Sequence, residues 1–286
     1  MMKVISKLFL TLIISINFHG MDRANAIVPH YHSLSGQFLE KNGFLFANRA
    51  YNLLSIGRLN EGLQFAKLAL SLYPNNENLW AILAESQIRN NLYKDALKSI
   101  QKGKSLNSKN ADFYFVESSI YLQRNQLKKA RKTLENGLII EPKNTVALFQ
   151  LGNIFLMENN YKRALNTFER AILNKSDFWQ VINNIGLVYY EIDEKLLAEI
   201  NFKKAISIER NGETLLALAV TLQNNEKKKS ILLAKEALKL NPSFVSYEYR
   251  KEQLWGDKLQ KATQKLLKSQ DLKEDIDLAR EYIKFK

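Results

Sequence analysis

Residues 145–176 read TVALFQLGNIFLMENNYKRALNTFERAILNKS, and the order of small and large residues in this stretch decides the fold. Gly152, Ala164 and Ala171 are small, while Leu148, Leu151, Phe155 and Phe168 are large and apolar. Each small residue belongs to a series with a step of 34 (164 − 130, 130 − 96). One series is Gly62, Ala96, Ala130, Ala164 and Ala198, and a second is Ala69, Gly103, Gly137, Ala171 and Ala205. A third is Ala50, Ala84, Ser118, Gly152 and Gly186. Bulky apolar residues hold a fourth slot at Ile100, Leu134, Phe168 and Phe202. Pro74 and Pro142 close two units, and Ser108, Ser176 and Arg210 stand in that place elsewhere. Agreement of separate slots over successive units is the signature of a repeat array.

The physical content is one antiparallel helix pair per unit. Small residues sit where helix A and helix B cross, since a larger side chain would push the axes apart. The bulky slot is expected to fill the space between that crossing and the next repeat, and proline ends helix B because it cannot continue it. No unit buries its apolar face alone, so the units stack. The run Leu148, Leu151-Gly152, Phe155, Tyr161, Ala164, Phe168 and Ala171 resembles the tetratricopeptide repeat (TPR), and the likeness covers about Gly43 to Pro242. It implies an all-α fold, a right-handed α-solenoid of about six helix pairs with C-terminal capping helices. The sixth copy is short: Pro242 stands two residues before the expected 244 (210 + 34), and Asn224-Asn225-Glu226 is the expected place of the loss.

Four segments follow. Residues 1–26 read as a signal peptide, with Lys3 and Lys7 before a short apolar core from Leu8 to Ile16 and Ala24-Asn25-Ala26 as a small-x-small cleavage site. That core is about half the roughly 20 residues that span a bilayer, so cleavage after Ala26 and export are expected. Residues 27–42 form an N-terminal linker, 43–242 the array and 243–286 the cap. In the cap, Trp255-Gly256 is the alternative candidate for a docking surface. Lys251-Glu252-Gln253-Leu254-Trp255-Gly256 resembles the tail of small exported TPR proteins of photosynthetic lineages, which implies a periplasm or thylakoid lumen. His30 and His32 flank Tyr31 in the linker and read as surface residues rather than metal ligands.

Catalysis finds little material. The chain has no cysteine, and its histidines lie before the array, so neither a Cys-His nor a Ser-His-Asp arrangement can be built inside it. No Gly-rich phosphate loop is present, and no cofactor or metal is expected. A protein or peptide client is expected instead. The resemblance implies a concave groove lined by helix A side chains, which the repeat phase places at Tyr51, Phe115, Phe149, Asn153, Asn183, Asn184, Leu187 and Tyr190. Some TPR domains clamp a terminal carboxylate with asparagines and basic residues. Asn153 and Asn184 match the asparagine slots, but Phe149, Glu213 and Ala217 hold the basic ones, so no carboxylate clamp is expected. The formal charge of +13 offers a second surface. Lys94, Lys98, Lys102, Lys104, Lys109, Lys128, Lys129, Arg131 and Lys132 cluster on the second and third B helices, and Lys227-Lys228-Lys229 form another run. A membrane-surface adaptor using this basic convex face on anionic lipid is the alternative function. Nucleic acid is not an expected partner.

Overall fold

A computed structural model describes residues 35–284. The signal peptide, His30 and His32 lie outside the described residues. Residues 40–286 form one compact unit, and of the 1–39 unit only 35–39 are described. Among the described residues the regular structure is helical throughout, with no strand.

Six helix pairs succeed one another: α1 (Gly36–Ser55) and α2 (Leu59–Leu72), α3 (Glu77–Arg89) and α4 (Tyr93–Leu106), α5 (Asp112–Gln123) and α6 (Leu127–Ile140), α7 (Thr145–Met157) and α8 (Tyr161–Asn174), α9 (Trp179–Glu191) and α10 (Lys195–Ile208), α11 (Gly212–Leu222) and α12 (Lys227–Leu240). A 3-10 turn (Pro242–Val245), α13 (Tyr247–Glu252), α14 (Asp257–Leu266), a second 3-10 turn (Gln270–Leu272) and α15 (Lys273–Lys284) complete the chain. The fold is an all-α TPR-type solenoid.

The small residues do what their spacing predicts. Ala96, Ala130, Ala164 and Ala198 are fully buried at the helix crossings. The bulky slot behaves differently from expectation: Phe168 and Phe202 seat within their own repeat, over the glycine of helix A. A Cβ on Gly152 would come within 2.3 Å of the Phe168 ring, and one on Gly186 within 2.5 Å of Phe202. Glycine is required there to let the ring reach the helix backbone.

The A–B turns hold a feature the pattern did not single out. Gly57, Asn91, Asn125, Asn159 and Asp193 all have positive φ (53° to 80°) and lie 34 residues apart (91 − 57, 125 − 91). Asparagine and aspartate are among the few L residues that visit this region at modest cost. In each turn the next N–H bonds back across it, as in Leu92 N–H to Gln87 O (2.8 Å) and Asn160 N–H to Phe155 O (2.8 Å), the bond that ends a helix in a Schellman motif. The sixth turn, Gln223 to Glu226, has no such residue, and α12 starts 32 rather than 34 residues after α10 (227 − 195). The loss falls in helix A rather than at Asn224-Asn225-Glu226: α11 has 11 residues against 13 in α9, while the turn after it holds four residues (223–226) against three (192–194) after α9.

Helix α1 begins at Gly36, seven residues before the expected Gly43 (43 − 36). Ser35 explains the difference: its Oγ accepts the Phe38 N–H (3.2 Å), and a capped N-terminus lets the helix start upstream of the repeat.

After Pro242 the chain turns back. Helix α14 packs on α9 and α11, while α15 packs on α12 and the first 3-10 turn. Trp255, Leu259, Leu266, Leu272 and Ile276 join Leu187, Tyr190, Phe202 and the α11 side chains in one buried cluster. Arg250 is enclosed too, donating to Gln260 Oε1 (2.9 Å) and the Phe244 carbonyl (2.6 Å). Burial among neutral partners lowers its pKa to about 10.

Candidate functional site: the concave face and the segment across it

The A helices line one side of the array, and the sequence-derived candidates divide there into an open group and a covered group. Phe149 and Asn153 from α7 share a cavity of about 270 Å³ with Asn183 and Asn184 from α9 and Glu213 from α11. Glu252, Gln253 and Leu254, from the end of α13 and just beyond, form its far wall. Phe115 is half-buried over Gly137, where a Cβ would meet its ring at 2.5 Å. Tyr51, in α1, is 65% exposed.

Leu187 and Tyr190, which the repeat phase assigns to this face, are not open to a ligand. They are 1% and 3% exposed, packed in the cluster that holds Trp255 and Leu259. The phase assigned their direction, and the chain's own C-terminal segment covers them. Burial, with the Glu191 and Asp193 carboxylates beside it, pushes the Tyr190 hydroxyl up to about 12. Phe149 is also partly committed to structure, with its ring 5.2 Å from Phe178 and 6.4 Å from Phe168.

The asparagines form a chain of amide bonds. Asn184 Nδ2 donates to Asn153 Oδ1 (2.8 Å), and Asn183 Nδ2 donates to both Asn184 Oδ1 (3.3 Å) and Glu213 Oε1 (3.0 Å). Trp255 Nε1 reaches the same Glu213 oxygen (3.3 Å). Trp255 is therefore an internal anchor, and its alternative reading as a docking surface fails because the indole is buried in the chain's own core.

Burial raises the Glu213 carboxyl to about 7, and the bonds from Trp255 and Asn183 only partly offset it. The sign follows from linkage. The unfolded chain loses this proton near 4.5 and the folded chain holds it to about 7, so the group's contribution to stability falls as pH rises across that window. Glu213→Gln removes the titration. Relative to wild type, the variant should gain at most about 3 kcal/mol between pH 4 and pH 8, at about 1.4 kcal/mol per pKa unit less residual solvation. Urea denaturation at several pH values checks this, and parallel curves for the two proteins would refute it.

Two residues that the repeat phase missed hold the segment down. Glu191, 5% exposed at the end of α9, accepts the Lys258 N–H (3.1 Å) and the Leu259 N–H (2.9 Å), both in the first turn of α14. Gly256 precedes that turn, and a Cβ there would lie 2.3 Å from the Glu191 carboxyl carbon. Lys258 also pairs with Asp193, and Leu254 takes φ 64° as the chain bends inward. One signal was available: an acid at a helix C-terminus opposes the helix dipole, so Glu191 needed a partner elsewhere.

The basic cluster is partly paired. Lys104 binds Glu117 and lies 3.7 Å from the Tyr114 ring centroid, Arg131 binds Glu158 (3.1 Å), and Lys98 binds Asp95 (3.2 Å). Lys94, Lys102, Lys109, Lys128, Lys129 and Lys132 are exposed.

No family model and no curated protein matches the chain. Among solved structures it is similar to PilF of Pseudomonas aeruginosa, with 17% identity and a TM-score of 0.64 over 75% of this chain and 98% of that one. It is similar to MamA of Desulfovibrio magneticus RS-1, with 17% identity and a TM-score of 0.54 over 60% of this chain and 97% of the other. YrrB, a TPR protein with an unusual peptide-binding site, shares 21% identity and a TM-score of 0.50 over 70% and 93%. At these identities the likeness is one of fold.

Proposed function

From a TPR fold whose C-terminal segment crosses part of its own groove, we propose that this chain is a non-catalytic interaction scaffold that holds a peptide segment or partner protein on the part of its concave face left open. The observation that carries the reading is the division of that face. Leu187 and Tyr190 are covered by Trp255 and α14, while Phe149 and Asn153 with Trp179 and Glu213 border an open cavity and Tyr51 stands exposed in α1. Half-buried aromatics offer contact area at low entropic cost, and amides pair with an extended backbone. The similarity in fold to a TPR protein with a peptide-binding site adds support. So does the lack of cysteine and histidine among the described residues, which leaves a nucleophile without its usual base. The finer role is assistance in assembling a membrane complex in the periplasm or thylakoid lumen. It rests on the signal-like residues 1–26 and on the resemblance of the tail, and an intact mass beginning at Ile27 in protein from the host checks the export.

A second reading, the membrane-surface adaptor, draws on the exposed lysines of α4 and α6. The two separate by salt and by mutation. Partners captured from membrane extracts are identified, and the tightest is remeasured with purified components. Phe149→Ala should weaken it by about thirtyfold, the loss of one anchored aromatic at about 2 kcal/mol. Asn153→Ala should cost about 0.5–1.5 kcal/mol. Replacing Lys128, Lys129, Arg131 and Lys132 by glutamine should change little at physiological salt. Circular dichroism checks that each variant folds. The reverse ranking would favour the basic face.

A further inference from the structure

We propose that the cavity bordered by Phe149, Trp179, Asn183, Glu213 and Glu252 is a subsite for a cationic side chain, a lysine ammonium or arginine guanidinium, carried by a peptide in the groove; this rests on the groove reading and specifies what it takes.

Charge is the first argument. The chain has 42 lysines and arginines against 29 acids, yet the cavity lining contains two carboxylates and no basic residue. A site of this sign in a protein of net charge +13 repels acidic ligands locally and favours cations. Unsatisfied hydrogen bonding is the second. Asn183 is 1% exposed, and its Oδ1 has no hydrogen-bond partner. Glu213 accepts from Trp255 and Asn183 through Oε1 alone, and its side chain remains partly open. Asn183 Oδ1 is already shut off from water, and an apolar occupant would leave it unpaired while taking water from Glu213 as well, an unfavourable exchange. A polyvalent donor bearing positive charge supplies the missing bonds. The walls are the third argument: Phe149 and Trp179 are both half-buried, and the negative faces of aromatic rings attract cations. Size is the fourth, since about 270 Å³ lies just below the range of drug-sized ligand pockets and suits one side chain. The raised Glu213 carboxyl agrees with a carboxylate enclosed without a counter-ion. Glu252 from α13 is the other acid of the cavity. Tyr249 and Arg210, the latter bound to Glu236, line a neighbouring cavity that Glu213 also borders.

Titration of the full chain at pH 8 with Nα-acetyl-lysine N-methylamide, followed by NMR, tests the site. The expected result is a saturable shift of the Trp255 indole N–H and the Asn183 side-chain amide, with no comparable shift from Nα-acetyl-norleucine N-methylamide. Glu213→Gln should weaken the lysine probe by about tenfold or more, as loss of a charge-assisted bond does. Glu252→Gln, at an exposed position that leaves the fold intact, should weaken it about threefold. Equal response to norleucine, no response to lysine, or undiminished binding in both variants would overturn the proposal. The groove reading fails separately. A client bound equally well by both glutamine variants but lost in Phe149→Ala removes only the cation subsite, whereas a client indifferent to Phe149→Ala removes the groove and leaves the titration result as measured.

Discussion

Glu191→Ala is expected to speed exchange of the Lys258 and Leu259 amide protons by about a hundredfold. Both N–H groups belong to the first turn of α14, where a helix has no carbonyl of its own to bind, and both are bonded to the two oxygens of this one side chain. A charge-assisted hydrogen bond contributes about 1.5–3 kcal/mol, and the carboxylate also faces the positive end of the helix dipole. Loss of about 3 kcal/mol corresponds to the stated factor in the opening equilibrium. Trp255 should redden in fluorescence as the segment lifts from α9 and α11. Gly256→Ala is a milder route to the same effect, because its added Cβ would collide with Glu191. Unchanged protection at Lys258 and Leu259 would mean that α14 is held by its apolar side alone.

Phe168→Ala should cost about 3–5 kcal/mol, the range for removing a fully buried phenylalanine. The ring is 0% exposed, fills the space left by Gly152 and lies against Phe149. It joins the two helices of the fourth repeat, so its loss weakens the link on which the neighbouring repeats depend. Leu173→Ala, five residues later in the same helix (173 − 168) and 85% exposed, should be close to neutral and serves as the control. Urea unfolding of both variants decides it, and a loss below about 1 kcal/mol at Phe168 would show that the ring is not a packing element.

The fold was legible because the determinants of a helix pair are local and recur. Gly152, Ala164 and Phe168 act within 16 residues of one another (168 − 152), and the 34-residue step states their geometry several times over. The same phase assigned Asn183, Leu187 and Tyr190 to one face of α9. Whether that face is open depends on contacts that no periodicity encodes. Glu213 meets Trp255 across 42 residues, and Glu191 meets Lys258 across 67. These are single encounters, without a second copy for comparison. The start of α1 escaped the phase for a related reason: Ser35, which caps it, stands outside the repeating unit. The left-handed asparagines were visible in principle, since Asn91, Asn125 and Asn159 keep the step. Asparagine is common in this chain, and residue type alone does not distinguish a turn from a groove position.

The doubling back of the last helices sets an order of events for a chain that emerges N-terminus first. Repeats one to three bury their cores mainly against immediate neighbours, so each can close soon after its own residues appear, whereas the fourth also takes Leu254 against its core. The fifth and sixth cannot close so early. Leu187, Tyr190 and the α11 side chains share their core with Leu259, Leu266 and Ile276, and Glu191 has no α14 to cap until Lys258 and Leu259 have arrived. Until then the face that ends up covered is bare. Closure of the tail therefore fixes how much of the A-helix face remains open.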